Sequence, residues 1–425
     1  MANEVANAAA AGGGWMQCLG QWIDDRFPMS KMWREHLSEY YAPKNFNTWY
    51  YFGSLALLVL VLQIVTGIFL TMNYKPSAAE AFGSVEYIMR DVEWGWLIRY
   101  LHSTGASAFF IVVYLHMFRA LLYGSYRKPR ELLWIFGMFI YLALMAEAFF
   151  GYLLPWGNMS YWGAQVIVSL FGAVPVIGGA LMEWIRGDYF ISDITLNRFF
   201  ALHVIALPLV LVFLVVAHIL ALHEVGSNNP DGIEIKKNKG PDGRPLDGIP
   251  FHPYYTVKDI MGVAFFMILF SVVVFFVPTL GGLFLEAPNF EPANPMQTPE
   301  HIAPVWYFTP FYAMLRAVPA FAGTQIWGVI VMFAAIVVLF FLPWLDRSPV
   351  KSIRYRGPLY KIALTLFAIS FIVLAYCGLQ PVSAVLEWTS RVGTLVYFLF
   401  FALLPWYSRI DKTKPEPKRV TYHAH

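Results

Sequence analysis

Four of the ten histidines lie inside otherwise apolar stretches: His102 and His116 in one, His203 and His218 in another. An imidazole in a nonpolar medium needs a partner, and polar groups there usually face a bundle interior and serve a function. Fourteen residues of α-helix return to within roughly 40° of the starting face and advance about 21 Å. His102 and His116 therefore share one face at two heights. His203 and His218 are fifteen residues apart, about 60° off that face in an ideal helix, but Pro208 lies between them. Proline can admit a bulge that absorbs one extra residue. Two helices then offer two facing imidazole pairs, which suit two non-covalent b-type haems. Bis-imidazole ligation leaves no open iron position, so such a haem carries electrons and does not bind oxygen. A lone histidine would be read as a helix–helix hydrogen bond, but four at matched depths would not. A zinc site fits less well, because the pairs stand about 20 Å apart with no third ligand near.

Glycines and arginines follow the same spacing. Gly53 and Gly67 are fourteen apart, as are Gly137 and Gly151, and a missing side chain lets a flat macrocycle approach the backbone. Close helix packing is the competing use of such glycines. Arg99 and Arg119 each lie three residues from a histidine and could pair with haem carboxylates, although arginines near helix ends also snorkel.

These side chains need long apolar elements to hold them. Of 425 residues, 58% are apolar and only 13% charged, against about a quarter charged in soluble domains. A bilayer core needs roughly 20 apolar residues per helix. Eight stretches qualify, at 49–72, 97–122, 133–154, 199–222, 260–280, 325–345, 360–379 and 392–408. The expected fold is an all-α membrane protein whose first four spans form a four-helix bundle holding both haems. Eight spans place both termini on one side. That side receives 23 of the 30 Lys and Arg residues, which makes it the cytoplasmic side or the mitochondrial matrix side. A net charge of +3 is too balanced for a nucleic-acid binder. Cys18 and Cys377 form no CxxC or CxxCH, so neither a metal cluster nor covalent haem is expected. The N-terminus shows no basic region followed by an apolar run, so no cleaved signal peptide is expected.

Further motifs are RYLHSTGAS (99–107), GYLLPWGNMSYWGA (151–164), NRFFALH (197–203), LHEVGSNNP (222–230) and YYTVKD (254–259). With them the chain resembles cytochrome b of the cytochrome bc1 family, from Trp49 to about Trp406. The resemblance implies that His102 and His203 ligate a low-potential haem near the outer face, and His116 and His218 a high-potential haem near the inner face. It further implies quinol (ubiquinol) oxidation at an outer pocket, with one electron passing to a Rieske iron–sulfur protein. The other crosses both haems to reduce quinone at an inner pocket. Implied partners are the Rieske protein, cytochrome c1, a second copy in a homodimer, and membrane lipid. No nucleic acid is implied. The fifteen-residue spacing of the second histidine pair departs from the mitochondrial fourteen and is similar to the chloroplast counterpart.

In many family members the outer pocket contains PEWY, whose Glu is thought to accept a quinol proton. Here the residues are Pro304-Val305-Trp306-Tyr307, and valine takes no proton. Two acids are candidates for the role. Glu147 is the only carboxylate deep inside an expected span, where an ionised acid is costly, and alignment puts it beside Tyr152 and Gly157 of the pocket. Glu300 lies five residues before Val305. A protonated Glu147 bonded to a neighbouring helix is the bland alternative. Tyr312 is implied near the docked iron–sulfur domain. At the inner pocket the resemblance assigns quinone or proton contacts to His223, Ser227, Lys258 and Asp259, while the usual Asn of the first span reads Tyr51.

The expected organisation is a tail with a surface helix (1–48), a dihaem domain (49–223), a cytoplasmic loop (224–258), a C-terminal four-helix domain containing PVWY (259–410), and a basic, poorly ordered tail (411–425). The longer loop and extended N-terminus suggest a bacterial chain in the inner membrane. A rival reading is the dihaem subunit of another quinone-linked dehydrogenase, although such subunits lack the PWG and PVWY loops. From a different class, a transporter with intramembrane histidines would be colourless.

Overall fold

The computed structural model describes residues 14–34, 38–321 and 324–421. Among them, seven helices are long and apolar enough to cross a membrane. We number the long helices α1 (Tyr51–Thr71), α2 (Gly95–Tyr123), α3 (Glu131–Leu153), α4 (Asp193–Val225), α5 (Phe251–Phe276), α6 (Ile326–Phe340), α7 (Pro358–Leu379) and α8 (Ala384–Ile410). Helix α6 is the exception, with fifteen residues. Phe341 and the short turn Leu342–Leu345 follow it inside the expected 325–345 span. Most of these helices are apolar on every side, as expected of helices whose outer faces meet lipid. The protein is a multi-pass membrane protein.

Local signals set the ends. Asn47 accepts the Trp49 N–H just before α1, Ser383 accepts the Leu386 N–H at the start of α8, and Pro358 opens α7, each a common helix-start device. Gly124 ends α2 at φ +65°, where a Cβ would press on the Lys351 backbone. Helix α5 begins nine residues before the expected span, inside the stretch read as loop, and α8 begins eight residues early. Charged residues at these ends, such as Lys258, Asp259, Glu387 and Arg391, lower the hydropathy without breaking the helix.

Helix α1 packs along α2, and α3 along α4. The stretch 158–186 forms two short helices, Asn158–Phe171 and Gly178–Arg186. Helix α5 lies against α1 and α2, while the helix Thr309–Ala317 packs with α6, α7 and α8. The C-terminal group therefore gathers around that short helix, and α5 belongs spatially to the first bundle. A two-stranded sheet pairs β1 (Tyr41–Pro43) antiparallel with β2 (Gly248–Pro250), tying the N-terminal approach to the 226–250 loop.

The tail, expected to be poorly ordered, is packed through Thr421. Arg419 donates to both Asp247 oxygens (2.7 and 2.9 Å), the Thr421 N–H and hydroxyl reach Asp231 Oδ2 (2.8 and 2.9 Å), and Val420 is buried. Burial raises the Asp247 carboxyl, but Arg419 and Lys44 outweigh it and hold the group down at about 2. Residues 422–425 lie outside the described residues, as do 1–13 of the N-terminal tail.

Candidate functional site

Helices α2 and α4 bring their histidines together as two pairs. The ring centroids of His102 and His203 are 6.2 Å apart, and those of His116 and His218 are 6.4 Å apart. The extra residue in α4 is absorbed as expected, by a π-helical segment at Leu202–Ala206 just before Pro208. Each gap is wide enough for one metal ion with bonds of about 2 Å to a nitrogen on either side.

Hydrogen bonds orient the rings of the first pair. The Thr66 hydroxyl donates to the Leu62 carbonyl (2.7 Å), so its oxygen accepts from His102 Nδ1 (2.9 Å). His203 Nδ1 donates to the Glu147 carbonyl at 2.9 Å, with Glu147 Oε1 at 3.1 Å. A proton fixed on Nδ1 leaves the Nε2 lone pair free for a metal, the usual outer-shell arrangement of a ligating histidine. Glu147 thus faces a histidine, and its Oε2 is buried without a hydrogen-bond partner.

All four spaced glycines face the imidazoles. A Cβ on Gly53 would lie 3.2 Å from His116 Cε1, on Gly67 3.3 Å from His102 Cε1, and on Gly137 3.4 Å from His218 Cε1. On Gly151 it would sit 2.8 Å from His203 Nδ1 and overlap the ring. The glycines therefore clear room for ring edges on α2 and α4. Arg119 lies over the Tyr50 ring (5.0 Å), with Nη2 3.5 Å from His116 and its Nε buried and unpartnered. Arg99 has no carboxylate within ion-pair distance among the described residues.

Among the described residues no three His, Cys, Asp or Glu side chains form a metal cluster. A zinc site needs three or four protein ligands, whereas each pair here offers two. A macrocycle that supplies its own equatorial nitrogens needs no more. The donor set, the cleared ring edges and the orphaned Arg119 nitrogen all fit haem.

At the His102–His203 end, residues 286–308 clasp the 152–162 turn. The Asn158 N–H donates to the Glu291 carbonyl (2.9 Å), the Ser160 N–H donates to Asn289 Oδ1 (2.9 Å), and Gly157 pairs with Pro292. A Cβ on Gly157 would overlap Asn289, so this close approach requires glycine. After Pro304 the short turn Trp306–Phe308 is pinned: Tyr307 stacks on Phe110 (3.9 Å, 4°), the Trp306 Nε1–H donates to Ser107 Oγ (3.1 Å), and the Tyr114 hydroxyl donates to the Tyr307 carbonyl (2.6 Å). Tyr312 lies beneath Arg316 (4.9 Å), its hydroxyl 3.5 Å from the Ile302 carbonyl. Glu300 is exposed.

The carboxylate that meets this region is one the sequence reading missed. The Tyr152 hydroxyl donates to Glu286 Oε2 at 3.0 Å. Burial pushes the Glu286 pKa up to about 7. A lone acid in the apolar run LGGLFLEAP (280–288) was the available signal.

At the other end, the Tyr40 ring lies 4.5 Å from that of His223, and its hydroxyl is 3.0 Å from Ser227 Oγ. Asp259 faces Tyr51 and Ser54 of α1, with the Tyr51 ring against Gly262. Lys258 Nζ sits 5.3 Å over the Tyr255 ring. Nearby, Arg130 grips Glu234 with two bonds (2.6 and 2.8 Å), and Lys351 also binds it. Burial opposes the Glu234 charge, but these two cations prevail and hold its pKa below the ordinary value.

A bundle of long apolar helices that encloses two imidazole pairs at different depths defines a polytopic membrane protein whose donor set suits metal cofactors. The family described as cytochrome b/b6/petB matches residues 37–226, and its C-terminal counterpart, cytochrome b(C-terminal)/b6/petD, matches 292–398. The chain belongs to the cytochrome b family. It is 69% identical to cytochrome b of Allochromatium vinosum over 94% of this chain and 97% of that protein. It is 47% identical to cytochrome b of Rhodospirillum rubrum over 96% and 97% of the two chains. A chain of a hyperthermophilic respiratory complex III superposes with a TM-score of 0.85 at 39% identity, covering 92% of this chain and 99% of that one. Membership of the family implies haem b.

Proposed function

We propose that this chain is the haem-carrying subunit of a complex III-type quinol:cytochrome c oxidoreductase in a bacterial inner membrane. The two imidazole pairs carry this reading, since they provide ligands for two haems at two depths. His102 and His203 hold the outer haem, His116 and His218 the inner one, and Arg99 and Arg119 meet their carboxylates. When bound, the haems supply one-electron redox chemistry, which links quinol oxidation on one side of the membrane to quinone reduction on the other. Thr66 and the Glu147 carbonyl keep the protons of His102 and His203 on Nδ1, and Gly53, Gly67, Gly137 and Gly151 leave the rings their room.

The outer quinol pocket is built by Tyr152, Gly157, Pro304, Trp306 and Tyr307, with Tyr312 toward a docked Rieske iron–sulfur protein; Glu147 and Glu300 are the two acids expected there. The inner quinone pocket takes His223, Ser227, Lys258 and Asp259, groups able to hydrogen-bond quinone oxygens and deliver protons. Helix α6 with Leu342–Leu345 spans twenty residues, about 30 Å, enough for one further crossing. That count puts both termini in the cytoplasm, where most basic residues lie. Cytochrome c1, a second copy of the chain and lipid complete the assembly. The test is catalytic. Purified with its partners, the chain oxidises ubiquinol with cytochrome c as acceptor, and alone it does not. Loss of activity in His203→Ala together with one haem supports the reading, whereas full activity in that variant contradicts it.

A further inference from the structure

We propose that Glu286 takes the proton role left open by Val305, receiving a quinol proton through the Tyr152 hydroxyl. This rests on the outer-pocket reading given above and names the group that the pocket uses. The geometry favours Glu286 over the two acids expected from the sequence. Glu147 is committed to His203, with Oε1 3.1 Å from Nδ1. Glu300 is exposed, with no side-chain hydrogen bond among the described residues. Glu286 instead lies where the end of α3 meets the loop that leads into Trp306 and Tyr307, and Tyr152 is already bonded to it. Phe284, two residues earlier, stacks on Trp306 at 6.4 Å, which fixes the loop against the pocket wall. Glu286 is half-buried and its neighbour Ala287 is exposed, so a captured proton has a short way out to solvent.

In the step, one quinol O–H bond breaks and its proton passes to the Tyr152 oxygen. The Tyr152 proton passes to Glu286 Oε2, converting a carboxylate to a carboxylic acid. The accompanying electron goes to the one-electron iron–sulfur acceptor of the proposed function. Among the described residues, the titratable groups facing Glu286 are Tyr152 from α3 and Tyr307 from the 306–308 turn; both are phenols, and no cation is among them. Burial holds the Glu286 carboxyl at about 7, so the accepting carboxylate forms as pH rises through neutrality.

The experiment uses the intact complex in membranes and measures ubiquinol-driven cytochrome c reduction between pH 5.5 and 9, with haem b content measured in parallel. In the wild type the rate rises with pH through about 7. Glu286→Gln is expected to retain both haems, lose roughly 10²-fold in rate and lose the rising limb. Tyr152→Phe removes both the relaying hydroxyl and a bond to the charged carboxylate, so its rate falls and the remaining limb moves to higher pH. Normal rate and profile in Glu286→Gln would overturn the proposal. If that variant does not assemble, Tyr152→Phe decides, and an unmoved limb overturns it. A wild-type complex that oxidises no quinol contradicts the functional reading and this assignment with it.

Discussion

The four glycines facing the histidines differ in tightness, and that difference can be tested. A Cβ on Gly137 would meet His218 at 3.4 Å, an ordinary contact, whereas on Gly151 it would overlap the His203 ring. Gly137→Ala should keep both haems, and Gly151→Ala should lose or loosen the one at the His102–His203 pair, as read by reduced-minus-oxidised difference spectra. Equal spectra in the two variants would contradict the cradle. Thr66→Val removes the acceptor of His102 Nδ1; losing the hydrogen-bond partner of a ligating histidine typically costs about 10–100-fold in metal affinity, so haem at that pair should wash out in titrations with apomyoglobin while the other pair holds. The histidines, glycines and arginines were legible because their spacing is a helical repeat. Glu286 was not, because its partner Tyr152 lies 134 residues away and no local pattern joins them. Glu147 was visible as an acid in an apolar span, but its contact with His203 depends on how α3 and α4 pack.

At the scale of elements, the register of α4 depends on its π-segment. The fifteen-residue spacing and Pro208 together pointed to a bulge, and Leu202–Ala206 supplies it. Deleting the exposed Ile205 while replacing Pro208 by Ala should restore a regular α-helix with fourteen-residue spacing, and both haems should stay. Deleting Ile205 alone leaves the proline to kink an otherwise regular helix at about 3 kcal/mol, and the protein should lose haem on mild heating. If both deletions bind haem equally well up to the same temperature, the bulge has no role in register. Helix starts were less legible than helix existence. Hydropathy fades where α5 and α8 begin among Lys258, Asp259, Glu387 and Arg391, yet helices tolerate charged residues there.

For the whole molecule, the N-terminal approach, the 226–250 loop and the C-terminal tail meet at two buried aspartates. Asp231 binds Asn45, Arg354, Tyr355 and Thr421, and Asp247 binds Lys44 and Arg419. Composition alone read this tail as loose, because a basic run resembles a solvated one until its acidic partners are known. The Asp247 carboxyl is held at about 2 by these cations, so the clamp is charged at every pH above its ordinary range and releases only as pH falls toward that value. Asp247→Asn at neutral pH should cost about 1.5–3 kcal/mol of charged hydrogen bonding and speed amide exchange across 411–421 by 10- to 100-fold, leaving the helices unchanged. Unaltered exchange there would count against the clamp.

On the proposed reading, each of the two imidazole pairs holds one haem. A pyridine haemochrome assay on the purified complex tests it most directly when it is run on wild type, His203→Ala and His218→Ala. Two b-type haems per chain are expected in the wild type and one in each variant, with a different band missing from the reduced-minus-oxidised spectrum of each variant. One haem in the wild type, or two in either variant, would contradict it.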